Sequence, residues 1–239
     1  MNAALFGAVA GVASLAGAWA VARNARRGLA VIELCVCFSA GFMLALTLVE
    51  AIPEAMKVHP RTTALVVLVG YLLVHLTQHT LTPHFHFGEE THRISSQTSR
   101  AAIAGLVLHT FFDGVAIASG FLVTPALGML FFLAIALHKL PEGVAVSSLV
   151  LASGGTAKGG YYAALFMSLA TVLGAALTGF SPVLAEYGLA LSAGVTLYVA
   201  ASNLVPEFQN RRGWSVPLAF VGGAGAFLLA RAVLERSGG

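Results

Sequence analysis

Charge is what this chain has least of. Only 10% of its 239 residues are Asp, Glu, Lys or Arg, where a soluble domain carries roughly a quarter. A water-facing surface cannot be covered with so few charges. Cysteine is nearly absent too: Cys35 and Cys37 are the two in the chain. On a helix, positions two apart point to different sides, so neither a disulfide nor a shared metal site is expected from them. No basic cluster with interleaved aromatics occurs, which leaves nucleic acid without a docking surface. The high pI of about 9.1 arises from 13 basic against 10 acidic residues and says nothing about nucleic acid.

What the chain has instead is apolar residues (58%) and glycine (26 residues). Glycine is frequent where helices pack closely in lipid. A spanning helix needs about 20 mainly apolar residues, and eight stretches qualify: 2–22, 31–52, 62–82, 101–123, 126–151, 160–180, 187–208 and 215–235. The expected fold is therefore an all-α membrane protein of eight transmembrane helices, forming one transmembrane domain over 1–239. The first stretch is long and lacks a basic n-region, so it reads as a retained helix and not a cleaved signal peptide.

An outside N-terminus places Arg23, Arg26, Arg27, Arg93, Arg100, Lys158, Arg211 and Arg212 in cytoplasmic loops. Lys57, Arg61, Arg231 and Arg236 then lie opposite. The positive-inside bias thus predicts both termini outside, in the cell (inner) membrane. Span two ends Glu50-Ala51-Ile52-Pro53-Glu54 and span seven ends Asn203-Leu204-Val205-Pro206-Glu207. These spans run in opposite directions, so the likeness predicts an inverted 3+2+3 repeat with spans four and five as a central pair.

That pair carries the chemistry. Span four holds His109 and Asp113, and span five holds His138 and Glu142. Four residues apart on a helix is one face, about 6 Å along the axis. In antiparallel helices His109 lies level with Glu142, and Asp113 with His138, near mid-bilayer. Polar packing or a proton relay competes with a metal site here. Against both stands the cost of an ionised group at the bilayer centre, at least ~2.5–3.5 kcal/mol on insertion scales. Two imidazoles and two carboxylates suit Zn²⁺, Fe²⁺, Mn²⁺ or Cd²⁺, whereas Ca²⁺ or Mg²⁺ prefers oxygen alone. Pro141 removes one helical hydrogen bond beside His138.

These two segments, His109-Thr110-Phe111-Phe112-Asp113-Gly114 and His138-Lys139-Leu140-Pro141-Glu142-Gly143, resemble the fourth and fifth helices of the ZIP (Zrt/Irt-like) metal transporters. The resemblance implies that His109, Asp113, His138 and Glu142 are the primary metal ligands, with no catalytic cofactor. It also implies transport into the cytoplasm and a homodimer. Ser39-Ala40-Gly41-Phe42-Met43-Leu44 looks like the family's second-helix segment that offers a methionine, which makes Met43 a candidate fifth ligand. Positions that hold second-metal ligands in some relatives are Thr110, Lys139 and, by a looser match, Thr171 here. A mononuclear site with Lys139 in place of the second ion is the expectation; a lysine reaching away to a carbonyl is the alternative. Ser202 and Asn203 stand where the family often has His and Glu, so an exit lined as in such relatives is not expected.

Two flanking groups complete the candidates. Glu50 and Glu54 continue the Met43 stripe toward the outer surface and could collect cations at an entrance, although helix-end carboxylates are commonly just solvated. His75, His79, His84, His86 and His92 crowd the end of span three and the 83–100 loop, with Glu89 and Glu90. Such a tract is a compositional signal for metal binding, with a solvated polar loop as the alternative. A membrane metalloenzyme or a metal sensor are the rival classes. No His-Glu-x-x-His helix or Gly-x-Ser-x-Gly elbow supports an enzyme.

Overall fold

The computed structural model describes residues 2–23, 29–81, 96–205 and 213–237, and these contain helices and no strand. In chain order the helices are α1 (Ala3–Ala22), α2 (Leu29–Leu46), α3 (Ile52–Val58), α4 (Thr63–Leu81), α5 (Ser96–Val123), α6 (Pro125–Ala152), α7 (Ala157–Thr178), α8 (Pro182–Tyr198) and α9 (Ser215–Ser237). A π-helical turn, Thr47–Ala51, joins α2 to α3, and a second, Val199–Leu204, extends α8. Among the described residues seven helical segments are long and apolar enough to cross a membrane. The third expected span forms α4, whose described apolar part, Thr63–Thr77, is shorter.

Span ends follow local chemistry. Thr124, Thr156 and Ser181 cap α6, α7 and α8 with their hydroxyls, and Pro125 and Pro182 occupy the first turn where no N–H is needed. Span two departs from expectation: helix continues past Pro53 to Val58. The proline sits at the start of α3, directly after the π turn, where the shifted i→i+5 bonding accommodates its missing N–H.

The faces of α4 and α9 turned away from the bundle carry large exposed apolar side chains, among them Leu65, Leu68, Leu218 and Leu229. Lipid, not water, suits such surfaces. Trp19, overlaid by Arg23, and Tyr162, approached by Lys158, mark helix ends on one side, as interfacial aromatics do.

Helix packing is set by reciprocal glycine contacts. Where α1 crosses α6, a methyl group on Gly17 would fall 2.2 Å from the Leu140 carbonyl oxygen, and one on Gly143 1.9 Å from that of Ser14. The α5–α7 crossing repeats this with Gly114 against Thr171 (1.9 Å) and Gly174 against Phe111 (2.0 Å). Gly41 and Gly223 do the same between α2 and α9, and Gly70 and Gly194 between α4 and α8. Backbones meet directly, the close approach that substitutes for a hydrophobic drive in lipid. A Gly194→Ala substitution is expected to cost about 1–3 kcal/mol by overpacking, since its added carbon would lie 2.0 Å from the Val67 carbonyl oxygen. Thermal unfolding in detergent checks this, with Gly225→Ala, where nothing lies within 4 Å, as the silent control. The central helices α5 and α6 pack on one another, α5 also against α7 and α8 and α6 against α1 and α2.

Candidate metal centre

The four expected residues converge where α5 meets α6. Each can direct one ligand atom so that all four atoms lie within 4.8 Å of one another. All four side chains are buried, at 1–3% exposure. Asp113 Oδ2 is 3.6 Å from His109 Nε2 and 3.4 Å from His138 Nε2, and Glu142 Oε2 is 3.8 Å from His138 Nε2. Ligand atoms about 2.0–2.2 Å from a tetrahedral Zn²⁺ stand roughly 3.4 Å apart, so the gaps are near those a single ion would bridge.

His138 is held in a definite tautomer. Its Nδ1 lies 3.0 Å from the Ala134 carbonyl oxygen. A carbonyl only accepts, so Nδ1 carries the proton and donates it. In the neutral ring Nε2 therefore presents its lone pair toward the two carboxylates. Nε2 of His138 and Nδ1 of His109 are buried without a hydrogen-bond partner among the described residues. A lone pair buried against carboxylates is unfavourable unless a cation shares the space.

One cation already does. The Lys139 side chain is fully buried, with Nζ 2.8 Å from Asp113 Oδ2, 2.8 Å from Glu142 Oε2 and 3.1 Å from Glu142 Oε1. Three residues before Glu142 on α6, it reaches its own helix's carboxylate and the one from α5 together. With neutral imidazoles, two carboxylates and one ammonium leave the cluster one negative charge, which a divalent cation would turn to one positive. Thr110 and Thr171 are fully buried, and their hydroxyls donate within their own helices, to Val107 at 3.0 Å and Met167 at 3.3 Å. Met43 is fully buried on α2, which packs on α6.

The flanking candidates are spread more widely. Glu50 forms an ion pair at 2.9 Å with Arg231 of α9, and Glu54 pairs with Lys57 one turn on. Arg231 was not legible as a partner, because a lone arginine near the end of the last span signals only a boundary. His75 lies among aromatic rings, 6.4 Å from the Tyr71 centroid and 5.7 Å from that of Tyr198. Ser202 shares a 3.0 Å hydrogen bond with the Tyr71 hydroxyl, and Asn203 sits in the second π turn. The His79 side chain and His84, His86, Glu89, Glu90 and His92 lie outside the described residues.

The family model for the ZIP zinc transporters matches residues 89–230, more than half of the chain and including all four candidate ligands and Lys139. The chain belongs to the ZIP zinc transporter family. No curated protein matches it. ZIP membership implies divalent metal transport, and with the apolar helices it makes this an integral membrane protein. ZIP proteins are transporters, consistent with a chain that catalyses no reaction.

Proposed function

We propose that this ZIP protein moves a divalent transition metal, Zn²⁺ first and Fe²⁺, Mn²⁺ or Cd²⁺ as alternatives, into the cytoplasm through one mid-membrane site. Its ligands are His109, Asp113, His138 and Glu142, with Met43 as a fifth. The observation that carries this is the convergence of four ligand atoms within 4.8 Å in a buried cluster on two helices. Lys139 takes the place of a second ion, as its contacts with both carboxylates favour, with Thr110 and Thr171 replacing the other ligands such an ion would need. A fixed ammonium neutralises one carboxylate charge and leaves the site a single divalent cation to accept.

The whole of 1–239 acts as a single transport domain with a 3+2+3 inverted repeat. Support comes from packing: exchanging spans one to three with six to eight, and four with five, turns the α1–α6 glycine crossing into α7–α5, and α2–α9 into α8–α4. The two π turns also exchange, each close before a Pro-Glu pair. Both termini are outside in the cell membrane, which fits the cationic, aromatic-flanked helix ends at Arg23 and Lys158. Glu50 and Glu54 serve the entrance, the histidines of the 83–100 loop together with His75 and His79 receive the ion inside, and the functional unit is a homodimer.

Purified protein in liposomes loaded with a metal-sensitive dye is expected to give saturable Zn²⁺ entry. Binding without flux would make the protein a sensor, and redox or hydrolytic turnover would make it an enzyme. Either result overturns the proposal.

A further inference from the structure

We propose a second divalent-metal site at the end of the bundle opposite the Arg23 and Lys158 helix ends, formed by His59 and Glu186. His59 Nε2 and Glu186 Oε1 are 3.6 Å apart, again near the roughly 3.4 Å between two ligand atoms on one tetrahedral ion. A nitrogen and a carboxylate oxygen form a borderline pair suited to Zn²⁺ and its neighbours more than to Mg²⁺.

The surroundings hold His59 in place. The His59 ring stacks on Tyr187, with centroids 5.0 Å apart and planes inclined by 26°. The stacked ring fixes the plane of the imidazole, much as outer partners orient ligands in metal sites. The His59 backbone is pinned as well. Its N–H donates to Ala55, and its carbonyl accepts from the Thr63 hydroxyl at 2.7 Å. Nε2 itself is screened from water and has no hydrogen-bond partner among the described residues. The Glu186 side chain is half exposed, which leaves the remaining coordination positions to water and gives an ion access.

The two ligands come from different parts of the fold, His59 from the α3–α4 turn and Glu186 from α8. An ion here would tie the end of span two to span seven, the two spans that contain π turns. As a first station for arriving metal the site rests on the transport reading above; as a binding site it does not.

Carbethoxylation of His59 by diethyl pyrocarbonate, followed by peptide mass spectrometry on the full-length protein in detergent, tests it. Zn²⁺ is expected to protect His59 saturably, while equal Mg²⁺ leaves its rate unchanged. Glu186→Gln should raise the half-protecting Zn²⁺ concentration about tenfold or more, in line with the cost of disturbing a metal site's partners. His138→Ala should leave the protection intact. A His59 rate indifferent to Zn²⁺, equal protection by Mg²⁺, or unchanged protection in Glu186→Gln each overturns the site. Loss of liposome uptake with His59 protection preserved would count against the transport reading alone.

Discussion

His138→Ala is expected to reduce Zn²⁺ uptake into liposomes by about 100-fold or more, beyond the 10–100-fold typical of losing a ligand's outer partner. His138 is the side chain most committed to the centre. Its Nδ1 is used on Ala134, and its Nε2 faces both Asp113 and Glu142. Alanine would leave His109 as the sole imidazole and open a void between the carboxylates. Glu142→Gln is the companion variant, because it keeps the side chain's volume and removes its charge. Loss of uptake in both, with helical circular dichroism and gel filtration unchanged, assigns the effect to coordination and charge. Uptake within a few-fold of wild type in His138→Ala would take the cluster off the transport path.

Lys139→Ala is expected to destabilise the metal-free protein by about 3–5 kcal/mol, the usual consequence of removing one partner from a buried ion pair. Asp113 and Glu142 both contact Nζ at 2.8 Å, so without the ammonium two buried carboxylates repel each other with no compensating charge. Metal should reverse much of the loss. An ion bound only to the folded state stabilises it by about 2.7 kcal/mol at a hundred times its dissociation constant. The metal-dependent rise in melting temperature should therefore be larger in Lys139→Ala than in wild type. Lys139→Met, which retains most of the side-chain volume, separates the charge from the cavity. Binding stoichiometry in the membrane region should stay at one ion in both proteins, because Thr110 and Thr171 still stand where a second ion would need ligands. A stable metal-free variant would show that Lys139 does not neutralise the pair.

Much of this was legible before any fold was known, because lipid imposes simple rules. Spans must be apolar and about 20 residues long, so the all-helical membrane fold and the approximate limits of its helices followed from hydropathy. Ionisable residues at that depth are costly, so His109, Asp113, His138 and Glu142 stood out, and helical periodicity put each pair on one face. Hydropathy ends span two just before Pro53. A proline is a good helix terminator in general, but the π turn before it lets this helix continue to Val58.

The sequence by itself therefore determined the membrane class, the family resemblance and the four central residues, since composition and local spacing are properties of neighbouring positions. Tertiary structure alone decided where Lys139 points, inward onto both carboxylates and not away to a carbonyl, because its rotamer depends on a charge contributed by another helix. It alone paired the glycines across four crossings, joined Glu50 to Arg231, and brought His59 to Glu186. Those partners lie far apart in the chain, and no local pattern records which helix will stand beside which.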